Sequence, residues 1–251
     1  TGTALRIVQI SAAGVSANAS TAFFRTKARG DEVLSSGADN WVILRPTLVL
    51  SPEAYGGTAL LRAVAALPLI RPTVFPEAQI QTVYVGDVAD AVVTAARGEI
   101  PSGTIADLTE HEAHHFPDLV AAVRRWQGWA PPAFTLGRVA DLLGHLGWRS
   151  PLRTTALKAL RDGIRGDPTV WEKAGGPPCR SLDQTLAILP STRQEKLFAR
   201  AYLALPVAIG TLALFWCLSG LITLIEPSRA SLILTDRTVP SWIAGLTVIG
   251  G

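Results

Sequence analysis

The chain has 251 residues and a net charge of +3, with Lys and Arg scattered along it, so the clustered basic stripe of a phosphate-backbone groove is missing and no nucleic-acid partner is expected. Only 17% of residues are charged, against about 25% in an average soluble protein, and the mean hydropathy is +0.29, so part of the chain does not face water. The two cysteines, Cys179 in a Gly-Pro loop and Cys217 inside an apolar run, exclude a disulfide framework and a thiolate zinc site, and they fit a reducing compartment for the water-facing part.

The sequence contains no methionine and opens Thr1-Gly2-Thr3, without the basic, apolar and small-residue regions of a secretory signal. A processed or truncated start is expected, with truncation favoured. Leu5 to Ile10 is a short Val/Ile-rich run bounded by Ser11-Ala12-Ala13-Gly14, which predicts a buried strand ending in a tight loop. A helix is expected over Ser20 to Ser36 with Gly37 as its C-cap. Trp41 to Leu44 repeats the buried-strand pattern, closed by Arg45-Pro46, and Thr58 to Leu67 reads as helical.

Ile80 to Val85 is the next strand, and Asp87 is expected to N-cap a helix through Ala89, Val92, Val93 and Ala96. Thr104 to Leu108 is a further strand. Pro117 in a first turn and the periodic Leu119, Val120, Val123 and Trp126 mark another helix. This alternation implies an α/β fold, a parallel sheet with helices on both faces. Between strand and helix, His111, His114 and His115 with Glu110 and Glu112 have the composition of a metal site; the plain reading is a solvated loop, and no metal is expected.

From Pro131 to Pro190 the strands are expected to stop. Short helices replace them over Gly137 to Leu146, Pro151 to Ile164 behind Ser150, and Ser181 to Leu189, with Gly175 to Pro178 as a break. Thr192-Arg193-Gln194-Glu195 has the form of a capping box. Beyond it, Leu197, Phe198, Ala201, Tyr202 and Leu205 are expected on one face and Arg193, Lys196 and Arg200 on the other, as in a helix lying along lipid headgroups, with Pro206 marking a bend.

Ala201 to Ile225 then runs about 25 residues without a charge, where about 20 suffice to cross a hydrocarbon core. One spanning helix is predicted there, tying the chain to a lipid bilayer. The flank before it carries Arg180, Arg193, Lys196 and Arg200, whereas Arg229 and Arg237 beyond it are offset by Glu226 and Asp236. The positive-inside rule therefore puts residues 1–200 in the cytoplasm. Val239 to Gly251, about 13 residues, is too short to span and reads as the start of a second membrane helix or a re-entrant piece. Three regions are expected: a sheet domain over 1–130, a helical region over 131–191 and a membrane domain over 192–251.

Ser11 follows the first strand, and Phe23 and Lys27 sit one turn apart on the next helix. The stretch Ser11-Ala12-Ala13-Gly14 with Phe23-Phe24-Arg25-Thr26-Lys27 resembles the active-site pattern of the short-chain dehydrogenase/reductase superfamily. That pattern is a Ser after a strand, then a Tyr and a Lys four residues apart on a helix. Trp41-Val42-Ile43-Leu44-Arg45-Pro46-Thr47-Leu48-Val49-Leu50 is similar to the strand and Arg-Pro turn beside the nicotinamide in extended and atypical members. Val83-Tyr84-Val85-Gly86-Asp87-Val88-Ala89 is similar to their Val-x-Asp-Val-Ala segment.

The likeness covers Leu5 to Gly128 and is nearest to the atypical branch that contains the nucleotide-binding accessory subunit of respiratory complex I. It implies the later half of a Rossmann-like doubly wound parallel sheet, binding NAD or NADP. Contacts are expected from Ser11, Ala12, Lys27, Pro46, Thr47 and Leu48, with Ser11 and Lys27 as the catalytic candidates and a small-molecule substrate.

Phe23 stands where the family has its Tyr and has no proton to give, so proton donation would come from water, substrate or another residue. No Gly-x-Gly-x-x-Gly turn follows a strand, which agrees with an absent earlier half. Arg200 to Pro227 with Leu232 to Pro240 resembles the opening of a DoxX-like membrane domain, found fused to such reductases in bacteria, which implies the bacterial inner membrane. The rival expectation is a redox-silent nucleotide-binding module with an assembly or sensing role.

Overall fold

The structure, a computed structural model, describes residues 5–72, 75–136 and 160–225, together with Asp236 and Ile243. The chain divides into two compact units, residues 1–202 and 203–251. The first unit is built on three parallel strands, β1 (Ile7–Ile10), β2 (Trp41–Pro46) and β7 (Thr104–Leu108), in the order β1-β2-β7. Ile7 lies opposite Trp41 and Ile10 opposite Leu44, while Val42 faces Thr104 and Arg45 faces Asp107. Helix α1 (Ala22–Gly37) connects β1 to β2. Between β2 and β7 lie β3 (Leu48–Leu50), α2 (Gly57–Ala65), β4 (Ile70–Pro72), β5 (Gln79–Ile80), β6 (Thr82–Tyr84) and α3 (Val85–Ala96).

Alternation of side chains along the strands sorts the two faces. Val42, Leu44, Ala106 and Leu108 point into one core, closed by Val88, Ala91 and Ala95 of α3 and by Trp171. A second core gathers Leu48 and Leu50 of β3 and Leu60, Leu61 and Ala65 of α2. Leu119, Val120 and Val123 of α4 (Phe116–Trp126) complete it with Leu160, Leu182 and Leu189. β3 pairs in parallel with β6, so the chain that leaves β2 starts a second small sheet over this core.

Several expectations are corrected. Gly37 is the last helical residue of α1, and the chain leaves through extended Ala38 (φ −131°, ψ 145°), so no left-handed C-cap forms; β2 begins only three residues later. Asp87 is not the N-cap of α3. β6 runs into the helix without a loop, Tyr84 is the extended cap residue, and the Asp87 carboxylate instead accepts the backbone N–H of Arg180 at 2.8 Å and pairs with its guanidinium.

Strands do not stop at Pro131. β9 (Phe134–Leu136) pairs in parallel with β4, and both are three-residue strands too short to show a period. The helices expected over Gly137 to Leu146 and Pro151 to Ile164 fall almost wholly outside the described residues; of the second, Asp162 is the last helical residue and Ile164 pairs with β5. A short helix missing from the sequence reading, α5 (Thr169–Lys173), carries Trp171, whose Nε1 donates to Pro177 O at 2.7 Å. Helix α6 (Leu182–Ile188) forms where expected, with Ser181 and Gln184 completing a reciprocal capping box.

Helix α7 runs Arg193–Ile225. Thr192 Oγ1 accepts the Glu195 N–H at 3.2 Å, which is half of the expected box. The Glu195 carboxylate turns away to Arg62, at 2.8 Å, because Arg62 is buried and needs a counter-charge. The Arg62 guanidinium also donates to Ser51 O and Pro52 O and lies 4.9 Å from the Trp126 ring centroid. The inward face of the first turns is therefore Glu195, Ala199 and Tyr202, whereas Leu197 and Phe198 are exposed, contrary to the expected apolar face.

In the second unit, the described part of α7 shows an all-round apolar surface. Leu205, Val207, Leu212, Leu214, Phe215, Trp216 and Leu221 are each at least half exposed. Among the described residues this is the one helix long and apolar enough to cross a membrane. The second stretch, Val239 to Gly251, lies outside the described residues apart from Ile243.

Candidate active site at the carboxyl ends of the parallel strands

Ser11 is the first residue past β1 and continues its ladder: its N–H donates to Leu44 O at 2.7 Å, and the Ala13 N–H donates to Pro46 O at 2.9 Å. The Ser11–Gly14 turn therefore lies against the carboxyl end of β2. Lys27 projects from α1 back to the same place, its Nζ donating to Ile10 O at 3.1 Å and lying 5.4 Å from the Phe23 ring centroid. Ser11, Phe23 and Lys27 are thus brought together, with Phe23 half exposed and Ser11 buried. In open α/β sheets ligands bind in this crevice, outside the carboxyl ends of the strands.

The other candidate residues occupy different layers. Ala12 is half-buried in the turn. Pro46 is buried and offers its carbonyl to Ala13. Thr47 is buried, its N–H on Leu108 O and its hydroxyl 3.1 Å from Thr109 Oγ1. Leu48 packs its side chain into the second core and gives its N–H to Gln81 O.

Asp31 organises the site. This carboxylate, 3% exposed in the middle of α1, accepts four bonds: Gln9 Nε2 at 2.6 Å, Ser11 Oγ at 2.9 Å, Arg45 Nε at 3.0 Å and Arg45 Nη2 at 2.8 Å. A buried carboxylate is tolerable only with such compensation. The proton of the Ser11 hydroxyl points at Asp31, so Ser11 faces the crevice as an acceptor. The sequence reading missed Asp31, although the signal was present: it lies one turn beyond Lys27 on the same helix face, and Gln9 and Ser11 share one face of β1.

Asp107, opposite Arg45 on β7, is held above its usual carboxylate range, chiefly by burial. The Asp167 N–H at 3.0 Å and the nearby Arg45 act in the other direction. The chain over 164–168 lies across this strand end. A Cβ at Gly166 would stand 2.9 Å from Asp107 Cβ and 3.2 Å from Thr47 Cγ2, so only glycine lets the backbone pass so close.

The His/Glu cluster is only in part a solvated loop: His111, Glu112 and His115 are exposed, whereas Glu110 is buried and His114 half-buried. Glu110 is 1% exposed; Oε1 accepts Thr82 N–H at 2.8 Å and Thr82 Oγ1–H at 2.6 Å, while Oε2 accepts Leu182 N–H at 2.7 Å and sits 3.1 Å from His114 Nε2. His114 and His115 form β8, antiparallel to β5. Among the described residues no group of three His, Cys, Asp or Glu side chains could hold a metal ion.

No protein family and no curated protein matches the sequence. Solved structures do match in fold. The Bordetella bronchiseptica enzyme WbmF in complex with NAD+ aligns over 81% of this chain and 61% of its own, at 16% identity and a TM-score of 0.51. MoeE5 in complex with UDP-glucose and NAD aligns over 79% of this chain and 66% of its own, at 15% identity and a TM-score of 0.52. The chain spans roughly three fifths to two thirds of the length of the structures it matches. Its fold is α/β and Rossmann-like, with a parallel sheet wound on both faces and an apolar helix toward the C-terminus.

The donor set fits one end of a dinucleotide. An ammonium carries three N–H donors, and Lys27 spends one on Ile10 O, leaving two for a ribose diol. The glycine-rich turn that would take the pyrophosphate does not occur in this sequence.

Proposed function

We propose that this chain is a membrane-anchored NAD(P)-binding protein of the oxidoreductase or epimerase/dehydratase type, with its sheet unit on the cytoplasmic side of a bacterial inner membrane and a small-molecule substrate. The observation that carries the reading is Lys27, bent back from α1 onto the carboxyl end of β1 beside Ser11 with donors to spare. Lys27 would hold the ribose, while Ser11, Ala12 and the Pro46-Thr47 turn would flank the nicotinamide. Bound NAD(P) supplies hydride transfer. The two neighbours solved with NAD support the choice of cofactor, and the uncharged helix surface supports the anchor, since exposing that many apolar side chains to water costs about 1.5–3 kcal/mol each.

A second reading, a nucleotide-binding module without turnover, is favoured by a specific pair of features. Phe23 has no hydroxyl, and the Ser11 proton is committed to Asp31, so neither position offers a proton to a substrate oxygen. The full chain purified in detergent separates the two. NADH and NADPH binding is measured by calorimetry, and oxidation of each is followed with candidate acceptors. Binding weakened at least about tenfold by Lys27→Ala, about the value of one charge-assisted hydrogen bond, supports the site. Unchanged binding refutes it. Tight binding without turnover in both the parent and Phe23→Tyr leaves the silent module.

A further inference from the structure

The C-terminal end of α4 and the first turns of α7 bring together cations that no acid answers. Arg200 stacks on Trp129, its guanidinium carbon 3.8 Å from the ring centroid, and Lys196 Nζ lies 5.8 Å from the same ring. Arg125 is exposed in the last turn of α4, and Arg193 is exposed at the start of α7. The one carboxylate in these turns, Glu195, is consumed by buried Arg62. Among the described residues, Arg125, Arg193, Lys196 and Arg200 form no ion pair with an acid.

The crowding is felt inside the fold. Arg124, whose Nε donates to Ala130 O and whose Nη1 donates to Ala65 O and Leu67 O, has its pKa lowered by burial and, secondarily, by Arg200. Uncompensated positive charge is retained where a single acidic side chain would relieve it. Exposed Leu197 and Phe198 lie within the same turns, and after Arg200 the sequence carries no charge until Glu226. Cations, a flat aromatic and exposed apolar side chains immediately before an uncharged helix are the composition of a headgroup-level surface.

We propose that Trp129, Lys196 and Arg200 form a docking surface for the phosphate headgroups of anionic phospholipids. This rests on the membrane-anchored reading of α7. Each cation at an anionic leaflet strengthens association about fivefold, so Lys196 and Arg200 together account for about 25-fold. Trp129 fixes the Arg200 guanidinium plane, which presents its outer edge to a phosphate in a bidentate fork.

The test uses the full chain reconstituted into phosphatidylcholine vesicles. Alkaline carbonate extraction comes first: release of the protein would remove the anchoring reading and this surface with it. For retained protein, energy transfer from tryptophan to dansyl-phosphatidylglycerol is compared with transfer to dansyl-phosphatidylethanolamine. The expected result is a preference for the anionic lipid that falls about 25-fold in Lys196→Gln/Arg200→Gln. Arg200→Lys, which keeps the charge but loses the stacked fork, should give a preference between the parent's and that of the double Gln change. Equal transfer to both lipids in the parent, or a preference that survives the double Gln change, overturns the proposal while leaving the anchor intact.

Discussion

Replacing Asp31 by Ala tests whether one carboxylate holds the crevice together. The change leaves Arg45, 26% exposed at its side chain, without its counter-charge, and strands the Ser11 hydroxyl and the Gln9 amide. Breaking a buried pair costs about 3–5 kcal/mol, which the partial opening of Arg45 to water reduces to about 2. An unanswered Ser11 hydroxyl adds about 1 kcal/mol, for a total of about 3. Near-ultraviolet circular dichroism of the full chain in detergent should show the transition falling by about 6–12 °C, while Ser11→Ala costs about 1 kcal/mol. Asp31→Leu combined with Arg45→Met should recover most of the loss, because the charge is removed along with its partner. A Asp31→Ala variant within about 0.5 kcal/mol of the parent, or one no worse than Ser11→Ala, would refute the central role of this carboxylate.

Asp107 gives a pH-dependent prediction. Its raised pKa means that the folded chain binds this proton more readily than the unfolded one, so its contribution is full below the ordinary Asp range and is lost as pH rises through the raised value. Asp107→Asn, whose amide oxygen can still accept from Asp167, should therefore melt about 1–2 °C higher than the parent at pH 7, with the gap closing toward pH 4; a lower melting point at pH 7 would contradict this. Gly176→Ala would place a Cβ 2.0 Å from Trp171 Cε2 and should cost about 2–4 kcal/mol, measured in the same melts, whereas a silent change would mean the loop yields. Burial pushes the Cys179 thiol up to about 12, with Asp87 adding to it, so iodoacetamide at pH 8 should leave it unmodified until the sheet unit unfolds. Cys217, exposed on α7, should resist a charged maleimide in vesicles and react in denaturant; rapid labelling in sealed vesicles would count against a spanning helix.

Ile7–Ile10 and Trp41–Pro46 were legible as Val/Ile-containing runs bounded by turn residues, and Thr104–Leu108 as a short run between turns, although β1 is not the buried strand expected: it stands at the sheet edge with Ile7 and Ile10 exposed. The short strands β3, β4, β5, β8 and β9 were not, since two or three residues set no period and their pairing depends on distant partners such as Ile70 with Phe134. Phe23 and Lys27 could be placed on one helix face by spacing alone. Asp31 and Glu110 could not be weighed, because acidic residues in sequence read as solvated, and only the folded chain reveals four donors converging on each. Glu195 shows the same limit: local capping chemistry predicted its partner at Thr192, and a buried guanidinium more than a hundred residues away outbid it.

Arg62 joins Ser51, Pro52, Trp126 and Glu195 through one guanidinium, so those positions cannot drift independently. A homologue that swaps this arginine for an aliphatic residue must surrender the acid at 195 in the same lineage, or else maroon an anion inside the protein. Paired replacement at 62 and 195, with the indole at 126 shrinking or staying in step, is the historical signature this hub should leave.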